Sequence, residues 1–269
     1  MTRTVLVTGA RGKTGREVAA QLLRSGIAVR AGSSAPSAEV RFDWDDPTGW
    51  PAATDGVDAI YLVRPDRPDA PELVGALTRL HPGIPVVLLS EQGADLLPPG
   101  HWARRVEDAV TSRASSWTLL RASWFHQVLT DPRFYRDSIR DDSVLSLSTG
   151  GGAIAWVDTR DIAAVAVAAL AGHGEHAGRA YTLTGPAALD VGTVAKELSS
   201  RLGRTIHAED PEVSGDGDPW MAEVLADLRE RLVRGDFATV SPAVEQVTGR
   251  SPISIEEFIG AHADEWGPR

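Results

Sequence analysis

The sequence predicts an α/β protein built on a doubly wound parallel sheet, and three features point there. Short apolar runs of strand length recur through the first 125 residues, amphipathic helical stretches lie between several of them, and a glycine-rich turn follows the first run directly. Strands that alternate with helices return to the sheet by crossovers, which are right-handed and cover a parallel sheet on both faces.

In chain order the strand-like runs are Thr4–Thr8, Ala28–Ala31, Val40–Phe42, Ala59–Leu62, Val86–Leu89 and Thr118–Arg121. After the first run, Arg16–Arg24 places Val18, Leu22 and Leu23 at helical spacing. Beyond residue 125 the alternation loosens. A helical segment is expected through Phe134, strands near Val144–Leu147 and Ile154–Val157, an Ala/Val-rich helix over Thr159–Ala171 and a strand at Tyr181–Leu183. Asp190 suits the N-cap of a helix through Leu202. Residues 209–219, rich in Asp, Gly and Pro, read as a loop, and helices over Trp220–Arg234 and Ser254–Trp266 finish the chain. The expected organisation is a core of residues 1–125 and a smaller, mostly helical lobe of residues 126–269, with strands near 154–157 and 180–183 returning to the core sheet.

The chain has 269 residues, 42% of them hydrophobic and 24% charged, enough for a sizeable core in an ordinary globular protein. No apolar run approaches the roughly eighteen residues of a spanning helix, and Met1–Arg3 leads straight into the first strand without a signal-peptide pattern. A cytoplasmic location is expected. The formal charge of −10 opposes nucleic acid or an anionic membrane as partner, because both are bound by clustered Lys and Arg. With no cysteine, disulfides, thiolate nucleophiles and zinc–thiolate sites are excluded.

Thr8–Gly15 reads Thr-Gly-Ala-Arg-Gly-Lys-Thr-Gly between the first strand and first helix, the context a phosphate-cradling loop requires. Gly9 can make the tight turn, Gly12 lets the backbone approach a pyrophosphate, and Gly15 permits close packing of helix on strand. The helix start then offers unpaired N–H groups and a positive dipole end to the anion. Gly9, Arg11, Gly12, Lys13, Thr14 and Gly15 are therefore candidate cofactor contacts on a Rossmann-type fold. A kinase-type phosphate loop is disfavoured, since Gly12-Lys13-Thr14 lacks the earlier glycine that its spacing demands. NAD is usually held by a carboxylate at the end of the second strand. This chain has Ser33 and Ser34 there, so a 2′-phosphate met by the two serines, with Arg11 in reach, favours NADP(H); the same serines also suit the start of a polar loop.

Taken together, Thr8–Gly15, Phe42–Trp44, Tyr61–Pro65, Leu88–Ser90, Trp117–Arg121, Trp124–Phe125, Val157–Ala163, Thr184–Pro186, Val247–Gly249, Phe258 and Trp266 resemble, in order and spacing, the NmrA-like family of atypical short-chain reductases, and within it the ergot-alkaloid-biosynthesis type. The resemblance implies NADP(H) and reduction of an imine or other activated double bond in small-molecule secondary metabolism. It also implies Asp43 and Trp44 near the adenine, Val63 and Arg64 along the nicotinamide half, and Ser90 at the nicotinamide ribose. The chain departs from the family at Ser33, where relatives commonly carry Arg, and at Ala122 and Val128, where they often carry Pro and Asn.

Short-chain dehydrogenases usually pass a proton through Tyr with Lys four residues on. Tyr61, Tyr135 and Tyr181 all lack that lysine, and the only lysines are Lys13 and Lys196. Hydride addition to a cationic iminium needs no general acid. His126, directly after Trp124-Phe125, is the candidate proton donor, ahead of His101, against the alternative of a structural hydrogen bond. Glu107, Asp158 and Asp161 read as helix anchors or caps. Trp102, Trp124, Phe125 and Trp156 are candidate stacking partners for an aromatic or polycyclic small-molecule substrate, against the alternative of core packing. No metal site is expected, because His173, Glu175 and His176 have no further ligand at useful spacing. Two other readings stay open: a non-catalytic NADP(H)-sensing regulator, and a nonredox cyclase or isomerase on the same fold.

Overall fold

The computed structural model describes residues 3–35, 38, 40–212 and 218–267. Its strands and helices, in chain order, are β1 (Thr4–Val7), α1 (Lys13–Arg24), β2 (Ala28–Ser33), β3 (Val40–Arg41), α2 (Trp50–Thr54), β4 (Ala59–Val63), α3 (Ala70–Leu80), β5 (Val86–Glu91), α4 (Trp102–Thr111) and β6 (Trp117–Ala122). There follow β7 (Val144–Ser146), α5 (Thr159–Ala171), α6 (His173–His176), β8 (Arg179–Leu183), α7 (Val191–Leu202), β9 (His207–Glu209), α8 (Pro219–Arg234), α9 (Ala243–Thr248) and α10 (Ile255–Ala261).

Seven strands form one sheet in the order β3-β2-β1-β4-β5-β6-β8. The pairings β3–β2, β2–β1, β1–β4, β4–β5 and β5–β6 are all parallel. The order runs outward from β1 in both directions, the doubly wound pattern, and right-handed crossovers to either side place helices on opposite faces. Accordingly α1 packs with α5 and α3 with α4. Leu6, Ile60, Leu62, Leu88 and Leu119 alternate along their strands to face Val74 and Leu77 of α3 and Val106 and Val110 of α4 in one buried cluster.

By packing, the chain divides into two units. The first holds everything up to Ala122 together with Thr159–Thr182 and Gln246–Gly249; the second holds Ser123–Asp158, Leu183–Glu245 and the chain from Arg250 onward. The Ala/Val-rich helix α5 thus belongs with the sheet rather than with the later lobe. In the second unit β7 pairs with β9, and Leu145, Val194, Leu198, Phe258 and Trp266 share its core. Asp210 ties this unit together by accepting from the amides of Thr149, Gly150 and Gly151 at 2.7, 2.9 and 2.6 Å and from Arg229 at 2.9 Å.

Several expected elements differ. Ile154–Val157 is not a strand of the core sheet: Ile154 makes a single bridge with Leu189 and Val157 one with Phe125, both inside the second unit. No α-helix ends at Phe134; His126–Val128 is a 3-10 turn and Ser138–Asp142 a π turn. The last helix stops at Ala261, and Ala263–Trp266 continues as a separate 3-10 turn. Among the described residues no helix is long and apolar enough to cross a membrane.

Candidate functional site

The carboxyl ends of β1, β2 and β4 meet at the glycine turn. Thr8, just past β1, donates its amide to Tyr61 O at 3.0 Å, and its hydroxyl accepts from the Val63 amide at 2.8 Å, so the tips of β1 and β4 are joined before the turn begins. Gly9 then adopts φ +62°, the left-handed region that glycine enters at little cost, and Gly12 N donates to Gly9 O at 2.8 Å. A Cβ on Gly15 would stand 2.3 Å from Gly9 O, so the first turn of α1 lies directly against the loop backbone and tolerates no side chain there. Gly12 is the N-cap of α1 and brings no capping side chain, and no acidic residue sits in the first turn. Backbone N–H groups and the positive end of a twelve-residue helix therefore face outward, a cradle suited to phosphate.

Beside this turn lies a hollow of about 550 Å³. It gathers eight of the residues singled out from the sequence: Gly9, Arg11, Gly12, Ser33, Ser34, Asp43, Trp44 and Val63. Lys13, Thr14 and Gly15 fall in the first turn of α1, with Thr14 and Gly15 buried. One wall is aromatic. Trp44 meets Phe42 edge-on at 5.0 Å and Trp50 at 5.5 Å, while Trp50 Nε1 donates to Asp43 O at 2.7 Å, which holds the loop after β3 in place. Phe42, Asp45, Pro65 and Arg67 also line the hollow and were not among the candidate cofactor contacts. Arg67 bonds both Asp69 and Asp45, and those bonds hold its pKa above the usual arginine value. A basic residue four past the end of the apolar strand β4 is the sequence signal that could have found it.

Ser90 turns away from the role its position suggested. Strand alternation puts Ser90 of β5 and its register partner Arg121 of β6 on the α4 face, where Glu107 projects from the buried stripe Ala103, Val106, Glu107, Val110. Ser90 Oγ donates to Glu107 Oε1 at 2.6 Å, and Arg121 grips the same carboxylate with bonds of 2.9 and 2.7 Å. Burial works against the charge of Arg121, but the bonds and field of Glu107 outweigh it and raise its pKa. With its proton committed beneath the sheet and only 8% of its surface exposed, Ser90 anchors α4 and does not present a ribose contact.

At the next tip, Arg64 pairs with Glu91 at 2.9 Å and with Asp66, and its guanidinium lies 4.2 Å over the Trp102 ring. Trp102, a candidate substrate contact, and Arg64, a candidate cofactor contact, are thus partners of one another. Glu91, in the middle of this group, was missed; an acid ending the otherwise apolar run Val86–Ser90 was its only trace.

The remaining candidates lie in the second unit. His126 is 1% exposed, with Nδ1 at 3.7 Å from the Asp158 carboxylate and its ring 5.2 Å from Phe258. That separation exceeds a hydrogen bond, and His126 is packed in the interior of the second unit against Phe258 rather than presented at an open surface. Trp156 is likewise 1% exposed, with Trp124 packed edge-on against it at 6.2 Å, so it is a core residue rather than a stacking surface. Trp124 and Phe125 stay half-buried. Burial pushes the phenol of Tyr61 well up and that of Tyr135 up to about 12, and Tyr181 is bonded to His176 at 2.8 Å.

Comparison with known proteins follows the same lines. No family model matches the chain. It is 32% identical to a (4-alkanoyl-5-oxo-2,5-dihydrofuran-3-yl)methyl phosphate reductase of Streptomyces griseus and 31% identical to an NAD(P)H azoreductase of Xenophilus azovorans, in each case over 98% of this chain and 99% of the relative. Festuclavine synthase I of Penicillium roqueforti is 29% identical over the same shares. Among solved structures, an NADPH-dependent quinone oxidoreductase of Escherichia coli complexed with NADPH superposes with a TM-score of 0.77 at 20% identity, covering 97% of this chain and 99% of that one, a likeness of fold.

Proposed function

The chain belongs to the NmrA-like family of atypical short-chain reductases, of the ergot-alkaloid type, and is an NAD(P)H-dependent oxidoreductase; from that premise we propose that it uses NADP(H) to reduce an imine, iminium or activated double bond of an aromatic or polycyclic metabolite. The observation that carries the cofactor half is the glycine turn, where a Cβ at Gly15 would collide with Gly9 O and the uncapped start of α1 opens beside the hollow. Gly9, Gly12 and the first amides of α1 would hold the pyrophosphate. Ser33, Ser34 and Arg11 would meet the 2′-phosphate, which a carboxylate in their place would repel, and Asp43 and Trp44 would flank the adenine.

When bound, the reduced cofactor supplies a hydride. The protein's own part in the reaction is binding and orientation more than proton transfer. No tyrosine has lysine four residues on, and Tyr61 is fully buried. A substrate that already carries the electrophilic charge fits such a site. Calorimetric titration with NADPH and NADH at one fixed ionic strength tests the reading. The expected result is micromolar binding of NADPH, about tenfold or more ahead of NADH; binding of neither form would remove it.

A further inference from the structure

We propose that Glu91 is a specificity-determining residue of this site, a carboxylate that selects substrates whose reducible group is positively charged. The proposal rests on the reductase reading above.

Its position comes from sheet order and alternation. The tips of β2 and β3 carry Ser33, Ser34 and Asp43, the tip of β1 carries the glycine turn, and β4 and β5 come next. In folds of this kind ligands lie outside the carboxyl ends of the strands, so a two-part ligand anchored at the first three tips directs its other half to β4 and β5. Val63 of β4 lies under the glycine turn, its side chain 3.5 Å from where a Cβ on Gly9 would stand, and it pairs in register with Leu89. Glu91 is two residues beyond Leu89 and shares that face, opposite to the α4 face of Ser90. Arg64 follows the other side of β4 and lies on Trp102, which packs against the α3–α4 core.

The charge environment favours the same conclusion. The Glu91 side chain is 18% exposed and that of Arg64 14%, so this pair is shielded from solvent screening. Asp66 also pairs with Arg64, so the cluster of one guanidinium and two carboxylates is formally net negative. In the reaction the hydride adds to the iminium carbon, the C=N π pair moves to nitrogen to give a neutral amine, and the positive charge passes to the oxidised cofactor. A nearby carboxylate faces a cation before and after the step, and no proton is required. A quinone accepting hydride develops negative charge instead, which the same carboxylate disfavours.

The test compares the whole protein with Glu91→Gln and Glu91→Asp, each checked by circular dichroism for a native fold at the assay temperature. NADPH affinity is read first. Then the affinity of the NADP⁺-saturated protein for the unreactive N,N-dimethyl-tetrahydroisoquinolinium cation is measured, with kcat/KM for N-methyl-3,4-dihydroisoquinolinium and for neutral 1,4-naphthoquinone. The expected result is a loss of about tenfold or more in both cation readouts for the Gln variant, no loss for the quinone, and recovery of most of the cation preference in the Asp variant. Unchanged cation affinity in the Gln variant, or equal losses for cation and quinone, overturns the proposal while leaving the reductase reading intact. Wild-type protein that binds no NADPH overturns both.

Discussion

At the residue scale, three glycines close the first loop for different reasons, and their substitutions separate binding from folding. Gly9 needs its positive φ, Gly12 is the cap from which α1 begins, and Gly15 is squeezed against backbone that cannot yield. Gly12→Asp adds a negative charge where a phosphate would lie, with a Cβ 3.1 Å from Gly9 O. It is expected to keep the fold and abolish NADPH binding in calorimetry. Gly15→Ala must displace α1 from the turn, at a cost of about 2 kcal/mol or more by the usual scale of overpacking, and should lower the urea midpoint as well. Equal NADPH affinity in wild type and Gly12→Asp would take the cradle out of the site.

At the scale of elements, the junction of β5, α4 and β6 depends on one buried carboxylate. Glu107 occupies a position of α4 that pattern would fill with an apolar residue, and it is 2% exposed. Arg121 and Ser90 satisfy it from neighbouring strands brought level by the β5–β6 register. Removing one partner of such a pair leaves the other charge buried, a loss of about 3–5 kcal/mol. Glu107→Ala should therefore destabilise the protein on that scale in urea unfolding, whereas Glu107→Gln, able to keep the Ser90 contact, should lose less. A loss under about 1 kcal/mol for the alanine variant would show that Asp95, 2.9 Å from Arg121, suffices as its counter-ion.

For the whole molecule, the formal charge of −10 makes the general field unfavourable to a polyanionic cofactor. Affinity must then come from the local cradle of amides, hydroxyls and Arg11. Linkage turns that affinity into stability: at a hundredfold excess over its dissociation constant, NADPH should stabilise the native state by about 2.7 kcal/mol. For a chain of this size that corresponds to a rise in Tm of about 5–10 °C. NADH at the same concentration should raise it less, and an equal rise with both would place the preference somewhere other than the 2′-phosphate. Differential scanning calorimetry across a cofactor series measures this.

What the sequence determined by itself was local: the alternation that demands a parallel sheet, the glycine spacing that makes a phosphate turn, and the Ser33–Ser34 pair that ends β2; Asp43 and Trp44, on the same hollow, were reached only through the family resemblance. Each follows from periodicity or from the conformational range of a few adjacent residues, which neighbours in the chain suffice to set. The tertiary structure alone decided the partners of single side chains. Ser90 and Glu91 are adjacent in sequence, yet alternation sends one to Glu107 under the sheet and the other to Arg64 at its tip. His126 and Trp156 were candidates in the sequence, one as a proton donor and one as a stacking surface, and packing buries both. Burial and pairing depend on strand register and on segments many residues away, so they become fixed only when the sheet with its helices, and the core of the second unit, are assembled.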